Sequence, residues 1–249
     1  TEITNLYNQG RVIDLVQGNG FAKQGYPARA LFSIPFVGIN EKGNPVCINE
    51  KGQATVGDLN FQERNNTDYL IYEGSTDPIY NGSLGNTFNY KGFHLNLFLT
   101  YAFGNVVRLD PVFKAKYNDL TSMTHDFKNR WMQPGDENVT NVPGVVSRYE
   151  YEQNRTLLST AYNAYNYTSV RTAKGDFIRM KEISLAYDFP HRWLENSPVN
   201  NISLKLQATN LMLLYADKKL NGQDPEFMNA GGVASPMPKQ FTLTLKLGL

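Results

Sequence analysis

The C-terminal run Phe241-Thr-Leu-Thr-Leu-Lys-Leu-Gly-Leu249 alternates apolar and polar residues without a fault. A period of two makes it a strand and constrains the fold more than any other feature of the chain. Phe241, Leu243, Leu245, Leu247 and Leu249 fall on one face; Thr242, Thr244, Lys246 and Gly248 fall on the other. Upstream, Ile202, Leu204, Leu206 and Ala208 alternate with Ser203, Lys205, Gln207 and Thr209. Earlier still, Phe93, Leu95, Leu97, Leu99, Tyr101 and Phe103 alternate with His94, Asn96, Phe98, Thr100, Ala102 and Gly104. Each run has about the length needed to cross a bilayer as a tilted strand.

A hairpin follows in register. Lys91-Gly92 separates two alternating runs and offers a glycine for positive φ. A two-residue loop pairs Tyr90 with Phe93, Phe88 with Leu95, Asn86 with Leu97 and Leu84 with Leu99. The opposite face pairs Asn89 with His94 and Thr87 with Asn96, all polar. A slip by one residue would destroy both faces at once. The segment Phe177 to Phe189 changes parity between Met180 and Ile183, which places a β-bulge near Lys181-Glu182. Pro190 ends it, having no N–H for the ladder. Arg29 to Ile39 is a further extended stretch, interrupted by Pro35.

The connections are lopsided. Lys91-Gly92 and Pro190 to Asn201 are the shorter ones, whereas 40–83, 105–176 and 214–239 are long and rich in Gly, Pro, Asn, Asp and Tyr. Short turns on one side and long loops on the other are the pattern of an outer-membrane barrel, with long loops extracellular. About five or six strands are too few to close one, since the smallest single-chain membrane barrels need about eight. The expected fold is therefore all-β: C-terminal strands of a large antiparallel transmembrane β-barrel that this chain cannot close alone. Thr1 stands without Met or a secretion signal, so the chain is expected to begin inside a longer one.

Composition agrees. Lys plus Arg number 24 against 23 Asp plus Glu, a formal charge of +1, which leaves no electrostatic footprint for nucleic acid. The mean hydropathy of −0.43 does not exclude a membrane barrel, because only alternate side chains of its strands meet lipid. One cysteine, Cys47, allows no intrachain disulfide.

Several segments resemble the SusC/RagA-like TonB-dependent outer-membrane transporters. They are Gly175-Asp-Phe-Ile-Arg-Met-Lys-Glu-Ile-Ser-Leu-Ala-Tyr-Asp-Phe-Pro190, Gln207-Ala-Thr-Asn-Leu211 with Gly222-Gln-Asp-Pro-Glu226, and Pro236-Met-Pro-Lys239. Gly57-Asp-Leu-Asn-Phe61, Asn86-Thr-Phe-Asn-Tyr-Lys-Gly-Phe93, Arg130-Trp131 with Pro134-Gly135-Asp136, Gly25-Tyr-Pro27 and Gly38 to Pro45 follow the same family order. The likeness spans nearly the whole chain. It implies that residues 1–249 are the C-terminal part of a barrel of about 22 strands, with plug and N-terminal domains absent. It implies energy-coupled import of oligosaccharides or peptides in the cell outer membrane. The implied partners are the rest of the barrel and its plug, outer-membrane lipid, a SusD-like lipoprotein lid, and the TonB complex through the missing N-terminal region. Glu63-Arg-Asn-Asn-Thr-Asp68 stands where the family often carries an aspartate- and glycine-rich run, so no metal is carried over and no cofactor is expected. Leu249 ends the chain where an aromatic is usual.

Lipid-facing positions are expected at Phe88, Leu95, Leu97, Leu99, Leu204, Leu206, Leu243, Leu245 and Leu247. Contact with substrate or a lid partner is expected at Arg130, Trp131, Tyr149, Tyr151, Tyr162 and Tyr165, because Tyr and Trp combine an apolar face with a polar tip. Interfacial or ordinary loop packing competes with that expectation for the tyrosines, and a loop core competes for Trp131. His94, His125 and His191 lie apart with no partner at ligand spacing, and no serine sits in a nucleophile elbow. Cys47, in a Pro/Gly-rich loop, has no paired base. The chain does not read as an enzyme. The competing class is a soluble carbohydrate-binding β-sandwich whose apolar strand faces form an internal core; no tandem repeat suggests a propeller or solenoid.

Overall fold

The structure is a computed structural model and describes residues 2–6, 9–18, 23–118, 120, 122–195, 198–228 and 237–248. Leu249 of the closing strand and Pro236 of the Pro236–Lys239 motif lie outside the described residues. In chain order the elements are α1 (Val12–Gln17), β1 (Ala30–Ser33), β2 (Phe36–Ile39), β3 (Pro45–Ile48), β4 (Ala54–Thr55) and β5 (Ile71–Ser75). There follow β6 (Tyr80–Tyr90), β7 (Phe93–Phe103), β8 (Val106–Arg108), α2 (Arg148–Gln153), α3 (Arg155–Asn166) and β9 (Thr172–Lys174). The chain continues with β10 (Phe177–Asp188), β11 (Asn201–Ala216) and β12 (Gln240–Gly248). It divides into two compact units. One is formed by Thr1–Asp77, Asn105–Lys174 and Lys219–Asn221, the other by Pro78–Gly104, Gly175–Lys218 and Gly222–Leu249.

The second unit is a five-stranded antiparallel sheet in the order β12-β11-β10-β7-β6. Its first hairpin has the expected register throughout: Tyr90 faces Phe93, Phe88 faces Leu95, and Thr87 faces Asn96. Lys91 and Gly92 both take positive φ, 46° and 86°, which gives the tight turn a twist that suits the flanking strands. The bulge in β10 also falls where the parity change puts it. The ladder to β7 shifts between Met180 and Glu182, so Lys181 is the extra residue against that strand. β11 runs on to Ala216, well past the alternating stretch, because it carries an irregularity of its own: Met180 faces Met212 but Glu182 faces Thr209. Asn210 sits inside it at φ 53°, a left-handed conformation that asparagine tolerates better than most residues.

The Arg29–Ile39 stretch does not join this sheet. It splits at Pro35, so that β1 pairs with β5 and β2 with β3, all within the first unit. β1 is buried along its whole length, on both faces, and a strand covered on both sides is a continuous apolar run rather than an alternating one. The wall therefore has five strands, the lower end of the expected count.

The first unit, which combines the residues before β6 with parts of the long connections, has a core of its own. Val12, Leu15 and Val16 from α1 pack with Phe32, Ile34, Cys47, Leu70, Ala164 and Tyr167. A second cluster joins Ala115 to Leu158, Ala161 and Tyr162 of α3. The α3 residues Leu158, Ala161, Tyr162 and Tyr165 recur at the helical spacing that puts them on one face. Ser147 starts α2, its hydroxyl accepting the Glu150 N–H at 3.2 Å. Ile39-Asn-Glu-Lys-Gly43 and Ile48-Asn-Glu-Lys-Gly52 repeat a single turn. In each, the asparagine Oδ1 accepts two backbone N–H groups at 2.9–3.0 Å, from Lys42 and Asn44 or from Lys51 and Gln53. Gly43 and Gly52 close these turns at φ 78° and 74°.

Candidate functional site

The five-stranded sheet has two faces of opposite chemistry, set by strand parity and carried from strand to strand by register. On one face, Phe88, Leu95, Leu185, Leu206 and Leu243 form a continuous row across all five strands. The next row is Tyr90, Phe93, Tyr187, Leu204 and Leu245. Leu97, Ile183, Ala208 and Phe241 form a third, while Leu84 and Leu99 lead to Met180 and Met212. Phe88, Leu204, Leu206, Leu243, Leu245 and Leu247 are exposed, Leu243 at 69%. Leu95, Leu97 and Leu99, inside the sheet, are half-buried.

The opposite face is polar in the same rows. Thr87, Asn96, Ser184, Gln207 and Thr242 align, and beside them Asn89, His94, Ala186, Lys205 and Thr244. His94 lies next to the Lys91-Gly92 turn, its Nε2 3.0 Å from Asp188 Oδ2 and its Nδ1 2.6 Å from Asn89 Oδ1. Gly82 and Gly85 would leave backbone bare on the outermost strand; the cross-strand rings of Tyr101 and Phe98 cover them, one on each face. Arg179 also stands on the polar side, opposite Thr100, and is paired with Asp224 and with Glu226 Oε2 at 3.2 Å. Two of the motifs quoted from the sequence, some 45 positions apart, meet in this cluster.

The aromatic and basic residues singled out from the first unit part company. Tyr149 on α2 is 78% exposed and Tyr151 is half-buried, its hydroxyl 3.2 Å from Ser159 Oγ. Tyr162 and Tyr165 are 1% and 2% exposed. Tyr162 donates its hydroxyl proton to the Gly144 carbonyl at 2.6 Å, and Tyr165 packs edge-on against Phe36 and Phe113. Both are core residues of α3, so the expectation that they contact substrate or partner is corrected: burial removes them from reach. The helical period of the segment was the signal that would have separated them from Tyr149.

Trp131 takes the loop-core position. Its ring lies against Gly43 and Gly144, where an added side chain would collide with the indole. The indole N–H donates to Glu137 Oε2 at 2.9 Å, which holds that carboxyl below the usual range. Arg130 stacks over Phe127, 4.7 Å from the ring centroid, and stays half-buried.

Buried Cys47 is chemically quiet. Burial pushes its thiol pKa up to about 12. Native protein is accordingly expected to resist iodoacetamide at pH 8 and to label fully in denaturant; fast labelling of the native state would contradict the burial. Among the described residues, no group of three or more His, Cys, Asp or Glu could hold a metal ion. No helix among them is long and apolar enough to cross a membrane, which says nothing about crossing by strands.

No family model matches the chain. It is 27% identical over 192 residues to the TonB-dependent receptor P39 of Formosa agariphila, a stretch covering 72% of this chain and 17% of that protein. The structure of the RagAB peptide transporter aligns with 99% of this chain and 25% of its own, at TM-score 0.65 and 20% identity. The RagAB peptide importer in its "open-open" state aligns at 0.64 over the whole of this chain, again at 20% identity and 25% of its length. The "closed-closed" state gives 0.63 at 20% identity, over 92% of this chain and 24% of that one. The chain thus spans about a quarter of the solved structures it matches, and less of the receptor. Among the described residues the one large sheet is open at both edges; the chain shares the fold of the matched quarter of the RagAB structures, and its sequence is similar to that of a TonB-dependent receptor.

Proposed function

We propose that the chain is the C-terminal wall of an energy-coupled transporter in the cell outer membrane, importing oligosaccharides or peptides. The observation that carries this reading is the two-faced sheet with unpaired edges. β6 and β7 are 11 residues long, β10 is 12 and β12 is 9, enough to cross the hydrocarbon as tilted strands. A water-soluble monomer seldom leaves a contiguous apolar face of five strands uncovered. Lipid on that face and a wet lumen on the other satisfy both chemistries. The edges β6 and β12 find partners in the rest of the same barrel, since an open edge does not persist in hydrocarbon.

In this reading the chain performs no covalent chemistry. The rows of Thr, Asn, Ser, Gln and Lys line a cavity and hydrogen-bond to passing cargo, while a plug contributed by the rest of the protein gates it. The long connections are extracellular in this reading. Arg130, Trp131, Tyr149 and Tyr151 are their candidates for contact with cargo or with a SusD-like lipoprotein lid. Energy arrives from the TonB complex through the N-terminal region.

The test is purification of the full-length product through an affinity tag. Extraction from outer membranes that requires detergent, yielding a heat-modifiable barrel together with a lipoprotein, is the expected result. If residues 1–249 instead express without detergent as a folded, monodisperse monomer, the apolar face is an internal core and the soluble carbohydrate-binding sandwich replaces the transporter.

A further inference from the structure

Arg179 is only 7% exposed although its strand position faces the polar side of the sheet. A guanidinium on a wet wall has no need of burial, so what covers it is informative. Two carboxylates of the connection between β11 and β12, Asp224 and Glu226, reach it. Asp224 is oriented before it meets the arginine: Oδ1 accepts the Glu226 N–H at 3.1 Å and so caps the short helical turn Pro225–Phe227. Pro225, buried at the first position of that turn, presets its φ. Asp224 Oδ2 is then free to take Arg179 Nη2, and Glu226 Oε2 approaches the same nitrogen at 3.2 Å. The guanidinium lies over the Phe177 ring at 5.5 Å from its centroid.

We propose that Asp224–Phe227 is a releasable strap on the lumen side of the wall, with Arg179 as its latch. The word lumen rests on the barrel reading above; the latch itself rests on the cluster. Two features make it a latch rather than a fixed part of the sheet. Among the described residues the turn pairs with no strand, and the ion pairs that hold it to the wall are side-chain contacts. The two ion pairs also differ in kind: Asp224 is almost dry, whereas the Glu226 side chain is 47% exposed and shared with water. Among the described residues the Nε–H of Arg179 finds no acceptor, so the ion pairs that hold the arginine are those to the strap carboxylates. Released, the strap would uncover the Phe177 ring and an unpaired guanidinium on the wall, a surface suited to an acidic group on cargo.

Hydrogen exchange on the full-length protein in detergent tests this at residues 223–228, with 93–103 and 241–248 as the sheet reference. Two variants break the latch from opposite sides: Arg179→Gln, and the double variant Asp224→Asn with Glu226→Gln. In both, exchange of 223–228 is expected to rise about tenfold or more, equivalent to about 1.4 kcal/mol, while the sheet reference keeps its parent rate. Arg179→Lys should recover part of the protection, since it restores the charge as a point cation without the planar guanidinium that lies over the Phe177 ring. Unchanged exchange of the strap in both variants overturns the proposal. So does acceleration of strap and sheet together, or loss of the folded protein in both, because the pair would then hold the wall itself. Failure of the barrel reading looks different: the parent's own sheet segments would lack protection, or the parent would need no detergent.

Discussion

Arg108→Met should cost the first unit about 3 kcal/mol or more, because several buried acceptors lose their donor at once. The guanidinium donates to the carbonyls of Thr168 at 2.8 Å, Val16 at 3.1 Å and Phe32 at 2.6 Å, and to Ser33 Oγ at 3.1 Å. Those acceptors come from the end of α1, from β1 and from the turn after α3, so one side chain on β8 joins segments far apart in sequence. The Tyr167 ring lies 6.0 Å from it and Glu73 attracts it. Burial draws its pKa down to about 10, which leaves it charged at neutral pH. Methionine fills much of the volume but donates nothing, and three carbonyls and a hydroxyl lose their donor, each costing about 1–3 kcal/mol where no water replaces it. Arg108→Lys should recover little, because a single ammonium cannot span acceptors on separate segments. Exchange of amides 12–17, 30–34 and 164–173 in the full-length protein measures the effect. Parent-like protection there would show that the acceptors are satisfied without Arg108.

How legible each feature was depended on how local its cause is. The β6–β7 register follows from two agreeing signals within one stretch, alternation and a Lys-Gly turn, and it came out pair by pair. The β10 bulge is a change of parity inside one strand, and it too is visible without partners. Failures came where a local pattern had two meanings. Ala30–Ser33 is as apolar as a wall strand, but it is covered on both faces and pairs with β5, a choice made by packing that no local pattern reveals. The tyrosines from 149 to 167 invited reading as a recognition surface. Only the helical spacing of Leu158, Ala161, Tyr162 and Tyr165 shows that two of them point into a core. Arg108 and Arg179 were invisible as hubs because their partners are brought together by tertiary structure, across 60 and 45 positions.

Substitution with aspartate along β12 should divide cleanly by parity. Leu243 stands opposite Leu206 and Leu245 opposite Leu204, in the middle of the apolar rows. Thr244 between them faces Lys205 on the polar side. A cation at the bilayer midplane costs about 2–4 kcal/mol and a carboxylate somewhat less, to which the lost transfer of a leucine adds about 1.5–3 kcal/mol. Leu243→Asp and Leu245→Asp should therefore reduce the heat-modifiable, assembled form at least about tenfold. Thr244→Asp should assemble as the parent does, its carboxylate set against a lysine. Equal tolerance on both faces would remove the basis for a lipid-facing wall. Aspartate alone does not separate lipid from a protein core, since both reject it; Leu243→Trp does. Hydrocarbon yields to a larger side chain, so a wall facing lipid should accept the indole with parent-like assembly. A packed sandwich core has no such room, and overpacking there costs about 1–3 kcal/mol. Rejection of tryptophan at Leu243 together with aspartate would place a second layer of protein over the leucine rows.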